Sequence, residues 1–293
     1  MKQYPIFFLL MLICFSSYAQ DSLRTTIPKK RTGLLFAGGT LAYAGTLAGL
    51  SAVWYNKDRA KFHWFDDSGE WLLMDKAAHF TAAYHFSRLS CQLFKRLTIS
   101  RNSQTLYSSL TGFLMISSVE VLDGFQNGYG ASAYDLSANL LGAGLFAGQE
   151  LLWHEQRIKP KFSYHTTAFP RHRPETLGKG FLEQVIKDYN GQTYWLSVDI
   201  HAFFSKKNTF PKWLNIAAGY GAEGMLYGFP NDPRHIKPPR RQFYLALDWD
   251  LSYIRTRSSL LKGLLFVLDA VKIPSPAVSM DSKGIFRFHP LYF

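Results

Sequence analysis

Two ionisable side chains stand out in the segment 75–88, DKAAHFTAAYHFSR, which has the apolar spacing of a helix. At about 100° per residue, Asp75 and His79 share one face of that helix. The other residues on this face are apolar: Trp71, Leu72, Ala82, Phe86, Leu89 and Leu93. A carboxylate and an imidazole on a packing face can bind a polar ligand, transfer a proton or fix the helix against a neighbour.

Two later helical segments also place polar groups on an apolar face. A stripe of Leu106, Leu110, Phe113, Ile116 and Ser117 ends at Glu120, with Asp123 near its edge. In the next segment, Asp135 and Asn139 share a face with Gly142 and Phe146. Because burying an unpaired charge costs several kcal/mol, we expect these groups to meet in a common interior, with the adjacent Lys76 at its edge.

Three interpretations of this cluster stay open. It is a hydrogen-bonded structural lock, a site for a polar or lipid ligand, or a catalytic pair with His79 and Glu120 as acid and base. Two members have simpler roles: Asp135 follows a helix-capping Ser132, and Asp123 precedes the turn at Gly124. A metal site formed by His79, Glu120 and Asp135 is conceivable, but no ligand spacing requires one, so we expect no bound metal and no cofactor.

Four helices must position these groups. The first is predicted over 32–56, an uncharged stretch longer than the roughly 20 residues needed to cross a bilayer. We expect it to span a membrane, and the alternative is a buried core helix rich in glycine. The second is predicted over 67–95, capped by Asp67 with Glu70 three residues on. The third is predicted over 105–123 and the fourth over 132–154. On the second helix, Tyr84, His85 and Arg88 lie away from the apolar stripe and are predicted to be surface groups.

The N-terminal segment predicts export. It has a basic start at Lys2, an apolar run and small residues at Ser17 and Ala19, as in a signal peptide cleaved after Ala19. Cys14 lacks the small preceding residue of a lipidated cysteine. Removal of the signal leaves Cys91 alone, so no disulfide can form within the mature chain.

The chain changes character after the fourth helix. The segment 156–190 is basic and contains proline, which is typical of a linker. Aromatic and β-branched segments follow, at QTYWLSVDIHAFF, WLNIAAGYGAEGMLYG, RQFYLALDWDLSYI and GIFRFHPLYF, and predict four or five strands. Between the last two, SSLLKGLLFVLDAVKIP predicts one helix that stops before Pro274.

Composition limits the partners. The 293 residues carry a formal net charge of +12, with 47% hydrophobic and 18% charged residues. An exported chain is not expected to bind nucleic acid, so membrane lipids and envelope glycan or lipid precursors are the expected partners for this charge.

The motifs DKAAHF, EVLDGF and SAYDLSANLLGAGL resemble those of the DUF2279 (YfiM-like) envelope proteins and, more distantly, the VanZ-like helical membrane proteins. The resemblance covers about residues 70–150, and its matching positions are Asp75, Lys76, His79, Phe80, Glu120, Asp135, Asn139 and Gly142. Asp123 stands where the VanZ-like pattern has a glutamine. The resemblance implies an envelope protein without implying a reaction.

Together these features predict an α+β protein. A signal peptide (1–19) precedes a four-helix, VanZ-like bundle that is partly embedded in the membrane (20–155). A basic linker (156–190) leads to a smaller β-rich domain with one helix (191–293). The expected function is that of an exported, membrane-associated envelope protein of unknown activity, at the inner or outer membrane. The alternative is an enzyme acting on envelope lipid or glycan precursors.

Overall fold

The computed structural model describes residues 59–97, 99–204 and 210–292, with separate positions at 33, 37–39, 41, 43–45 and 47–49. The predicted signal peptide and Cys14 lie outside the described residues. The described positions between 33 and 49, within the first predicted helix, are helical. Tyr43 is tied to the rest of the protein, because its hydroxyl donates to the backbone carbonyl of Met115.

Three long helices form the first half of the described chain. They are α1 (Met74–Phe94), α2 (Arg101–Asp123) and α3 (Ala133–Leu152), and each contacts the other two. Ser132 caps α3, as predicted, by accepting hydrogen bonds from the backbone N–H groups of Tyr134 and Asp135.

Two glycines allow the helices to approach α1 closely. A Cβ atom at Gly112 of α2 would lie 2.7 Å from the carbonyl oxygen of Ala83. At Gly142 of α3 it would lie 2.1 Å from the carbonyl oxygen of Phe80. No larger residue fits at either point without moving the backbone, so the glycines set the distance between the helices.

The second half is an antiparallel sheet with short helices between its strands. The six strands are β1 (Ile158–Tyr164), β2 (Gln192–Val198), β3 (Leu214–Glu223), β4 (Arg240–Trp249), β5 (Ser275–Asp281) and β6 (Phe286–Tyr292). They pair in sequence order from β1 to β6. The helices are α4 (Pro174–Leu177), α5 (Phe181–Lys187), α6 (Ile200–Phe203) and α7 (Ser259–Leu268). The α+β class is therefore confirmed, although a four-helix VanZ-like bundle and embedding in a membrane are not.

The segment predicted as a linker contains the first strand. Residues 158–164 pair along their whole length with β2, and a parallel bridge joins Phe162 to Val271 on the other side. Lys159, Lys161 and Ser163 alternate along this strand and give it a polar face. Because of these polar residues, the composition of the segment is that of a solvated linker.

The sheet curls so strongly that charges on distant strands meet inside it. Lys161 of β1 lies 2.6 Å from Asp248 of β4, and both side chains are fully buried. Lys159 binds Asp250 at 2.8 Å and Asp269 at 3.2 Å. Three spacings of about 4.8 Å separate β1 from β4 in a flat sheet, so only a curled one brings these groups together.

The outer face of the same sheet is apolar. Along β4, the buried positions alternate with exposed Phe243, Leu245, Leu247 and Trp249. Exposed Val278 and Met280 of β5 and Phe286 and Phe288 of β6 continue this outer face. A sheet in water normally places its apolar side chains on the buried face, so the arrangement in this sheet is the reverse.

Helix α1 is buried on more sides than its sequence pattern indicates. Tyr84 is fully buried and Arg88 is 9% exposed, because α1 packs against α2, α3 and β1. Arg88 donates to Asp269 at 2.7 Å, and His85 contacts the carbonyl oxygen of Pro160 at 2.9 Å. The prediction of Tyr84, His85 and Arg88 as surface groups was wrong, because the sheet covers the side that the isolated helix exposes.

The predicted helix cap at Asp67 is also wrong. Helix α1 begins at Met74, after a short turn (Glu70–Leu73) in which Trp71, Leu72 and Leu73 have left-handed φ angles of 47°, 51° and 69°. Contacts from the sheet half hold this turn. The backbone N–H of Trp71 donates to the carbonyl of Gly228 at 2.7 Å, and the hydroxyl of Tyr220 donates to the carbonyl of Leu72.

Replacing Leu73 tests whether this turn is strained. Leu73 is 39% exposed, and a left-handed conformation costs a residue with a Cβ atom about 1–2 kcal/mol. We expect Leu73→Gly to have a free energy of unfolding about 1 kcal/mol above that of Leu73→Ala, measured by urea denaturation. Both variants lose the leucine side chain, so their comparison isolates the backbone. Equal stabilities would contradict a strained turn.

Candidate functional site

The ammonium group of Lys76 joins the segments around the helical half. It contacts Asp67, which precedes α1, and lies 2.8 Å from Asp75 and 3.1 Å from Asp135 at the start of α3. The Ser132 hydroxyl, at the cap of α3, donates to Asp67 at 2.6 Å. One cation therefore fixes the entry of α1 against the first turn of α3.

A second set of contacts joins α1 to α2. The imidazole Nε2 of His79 lies 3.5 Å from Oε1 of Glu120, which is 2% exposed. The other oxygen of Glu120 accepts a hydrogen bond from the backbone N–H of Ser132 at 2.9 Å. This carboxylate near the C-terminal end of α2 thus caps the loop that leads into α3.

Asn139 determines which nitrogen of His79 is free. Its amide nitrogen donates to the hydroxyl of Ser117 at 3.3 Å, so its Oδ1 faces Nδ1 of His79 at 3.1 Å. An amide oxygen only accepts, which assigns the imidazole hydrogen to Nδ1. The lone pair of Nε2 therefore points toward Glu120.

The structure brings together six of the seven residues singled out from the sequence: Asp75, Lys76, His79, Glu120, Asp135 and Asn139. Asp123 lies at the end of α2, where its backbone carbonyl accepts from the N–H of Gln126 and forms the predicted turn. Its charge reaches the cluster and helps raise the pKa of Glu120.

Sequence reasoning missed the part that Asp67 plays. It treated Asp67 as a helix cap, but the carboxylate instead contacts Lys76 and Ser132. Because Asp67 precedes the helix, helical periodicity could not place it. The buried charges inside the sheet were also missed, although the period-two spacing of Lys159 and Lys161, and of Asp248 and Asp250, carries that signal.

Burial shifts the protonation of the cluster toward neutral forms. Desolvation raises the pKa of Glu120 to about 8 and lowers that of His79 to about 4. Burial and the nearby Asp75 raise the pKa of Asp135 to about 9. Burial opposes the charge of Lys76, yet the carboxylates of Asp75 and Asp135 raise its pKa above the ordinary value. At neutral pH, a charged Lys76 therefore lies beside a neutral imidazole.

The cluster could hold a cation in two places. One donor atom from each of His79, Glu120 and Asp135 lies within 4.8 Å of the other two, and the same is true of Asp67, Asp75 and Asp135. The second group already surrounds the ammonium of Lys76.

A cavity of about 290 Å³ lies elsewhere, between α1, α3 and the charged interior of the sheet, and shares no residue with the cluster. Its lining mixes acids with bases, including Arg88, Glu150, Lys159 and Asp250.

The pH dependence of stability tests the burial of Glu120. Folding raises the pKa of Glu120 from 4.5 to about 8. At pH values between these two, the folded state therefore keeps a proton on Glu120 that the unfolded state has lost. His79, with its lowered pKa, acts in the opposite direction but only below about 6.5. Between pH 6.5 and 8 we therefore expect stability to fall as pH rises, by up to roughly 1.4 kcal/mol per pH unit for each such group.

Glu120→Gln removes one titrating group from this window while keeping the shape of the side chain. Its free energy of unfolding, measured by chemical denaturation in a metal-chelating buffer, should fall less steeply with pH than that of the original chain. Glu150→Gln, which changes a buried acid of α3 outside the cluster, is the matched control. Identical pH profiles for the original chain and Glu120→Gln would contradict the raised pKa.

Comparison with known proteins gives a family match within the helical half. Residues 62–148 match the family model DUF2279, described as a predicted periplasmic lipoprotein. No curated protein and no solved structure matches the chain. The matched segment contains the whole cluster and ends within α3, before the sheet begins. The distant similarity to VanZ-like proteins stays a prediction. Residues 62–148 are thus similar to the DUF2279 family, and the family description agrees with an exported envelope protein.

Proposed function

We propose that this protein is a non-catalytic envelope protein that binds a membrane through apolar surfaces on both of its halves. The observation that carries this proposal is the reversed sheet, with charges inside and apolar side chains outside. Phe243, Leu245, Val278, Phe286 and Phe288 are each at least 45% exposed on that outer face. Exposed apolar area of this kind is stable against the acyl chains of a lipid and unfavourable in water.

Helix α2 adds to this surface. Among the described residues it is the one helix whose length and composition would allow it to cross a membrane, with 33% of its most apolar stretch buried in the protein. A core helix of a soluble protein passes the same test. In α2, Ser117 and Glu120 face α1 and α3. Leu106 and Leu110, which the sequence pattern placed on the same stripe, are instead exposed, as is Leu114. We infer that this outer stripe rests against lipid.

Charge supports the choice of a membrane as the partner. The net charge of +12 favours association with anionic head groups. The description of the family as a periplasmic lipoprotein is in keeping with a location beside a membrane. In this proposal the polar cluster locks the three helices together, because its members bind mainly one another.

Flotation with lipid vesicles tests membrane binding. Leu245 on the outer face of the sheet and Ile236 in the β3–β4 loop are 54% and 55% exposed. Leu245→Glu should reduce co-flotation with vesicles of phosphatidylcholine and phosphatidylglycerol, whereas Ile236→Glu, with the same change of charge, should not. Brominated acyl chains should quench the tryptophan fluorescence, and Trp249→Phe should lose part of that quenching. Equal flotation of the two glutamate variants and unchanged quenching would contradict lipid contact by the sheet.

A second candidate function is enzymatic, and the pairing of His79 with Glu120 favours it. A neutral imidazole at 3.5 Å from a carboxyl group with a raised pKa has the form of a base beside an acid. In this case the cluster acts on an envelope lipid or glycan precursor that enters beside His79, whose side chain is 17% exposed.

Stability and turnover separate the two functions. Under the structural proposal, His79→Ala lowers the melting temperature, and extracts of envelope lipid and glycan precursors incubated with the protein give no new product by mass spectrometry. Under the enzymatic one, the original chain forms a product that Glu120→Gln does not, while the melting temperature of Glu120→Gln stays nearly unchanged. A product that persists in Glu120→Gln would exclude this pair as the catalytic one.

A further inference from the structure

Three potential metal ligands from three helices meet at one point of the cluster. They are the imidazole of His79 on α1 and the carboxyl groups of Glu120 on α2 and Asp135 on α3, with one donor atom of each within 4.8 Å of the others. The separation between Nε2 of His79 and Oε1 of Glu120 is 3.5 Å. Two ligands of a tetrahedral zinc ion at about 2.0–2.2 Å lie roughly 3.4 Å apart, so this pair already has suitable spacing.

Glu120 independently indicates a ligand site at this point. Its side chain is 3% exposed, and its Oε1 accepts no hydrogen bond, whereas its Oε2 is bound by the backbone of Ser132. Buried carboxylate oxygens almost always have a partner. The unpartnered oxygen lies 3.5 Å from Nε2 of His79, which is too far for an ordinary hydrogen bond in either direction.

The surroundings of His79 have the form of a second coordination shell. Metal-binding histidines usually donate their other ring N–H to an oxygen acceptor, which fixes the tautomer and the orientation of the ring. Here Asn139 accepts from Nδ1 at 3.1 Å and is itself held by Ser117. The lone pair of Nε2 is thereby presented to the point that Glu120 and Asp135 also face.

Charge also favours a cation at this point. Three carboxyl groups, those of Asp67, Asp75 and Asp135, surround the ammonium group of Lys76, and a fourth, that of Glu120, lies beside His79. Lys76 contacts the three aspartates but leaves Glu120 without a positively charged partner among the described contacts. A divalent ion beside Glu120 would take the place of the protons that Glu120 and Asp135 otherwise hold at neutral pH.

The geometry points to a site for a divalent transition-metal ion such as Zn²⁺, bound by Nε2 of His79 and by oxygens of Glu120 and Asp135. A ligand set of one imidazole and two carboxylates suits zinc or manganese better than it suits magnesium or calcium, which prefer sites made only of oxygen ligands. Three protein ligands leave a coordination position for a group from solution. This inference concerns the helical half alone and does not depend on membrane binding by the sheet.

Zinc titration of the full chain, purified without a histidine tag and stripped with a chelator, tests the site. Isothermal titration calorimetry with Zn²⁺ should give one ion per chain, and the bound ion should raise the melting temperature. Glu120→Gln and His79→Gln should each weaken binding by at least roughly tenfold. The matched control is Glu150→Gln, which changes a buried acid outside the cluster and should bind zinc as the original chain does.

X-ray absorption at the zinc edge gives a readout that needs no variant. The proposal expects one imidazole nitrogen with oxygen ligands and no sulfur, which separates this site from binding at Cys91 or at several surface histidines. Absence of stoichiometric zinc would overturn the inference. So would zinc binding that Glu120→Gln leaves unchanged, or a spectrum with sulfur or several imidazoles.

Discussion

The helical half of this protein depends on the burial of one ammonium group among carboxylates. Lys76 is held by Asp67, Asp75 and Asp135, which come from before α1, from α1 and from α3. Removing Lys76 would leave these buried carboxyl groups without their cation, which is strongly destabilising. The glycines at 112 and 142 let the helices come close enough for these short side chains to meet. Ion pairing and close backbone packing therefore support each other.

The sheet half follows the same rule of charges inside and apolar groups outside. Lys159 and Lys161 pair with Asp248, Asp250 and Asp269 in its interior, while leucines and phenylalanines cover its outer face. Arg88 of α1 reaches Asp269 and so joins this interior to the helices. Exposed apolar side chains are favourable against lipid and unfavourable in water, which is why we propose that this face contacts a membrane.

The two halves are joined at the turn before α1. Its left-handed residues are held by Tyr220 of β3 and by the carbonyl of Gly228, while Leu72 and Met74 pack against Ala222 and Met225. Asp75 and Lys76 follow this turn directly. The sheet therefore sets the direction in which α1 begins, and through it the position of the polar cluster, although the cluster lies wholly within the helical half.

Local sequence determined the three long helices, α7, four of the six described strands and the polar members of the cluster, but it did not predict α4, α5, α6 or β5. The helical period places Asp75 with His79, and Ser132 caps α3, because these features depend on residues a few positions apart. Tertiary structure decided the rest. Asp67 lies outside any periodic element, β1 has the composition of a linker, and Arg88 is buried only because the sheet covers α1. Contacts between residues far apart in the chain determine where each charged side chain points. The pattern of one segment could therefore not reveal which charges pair.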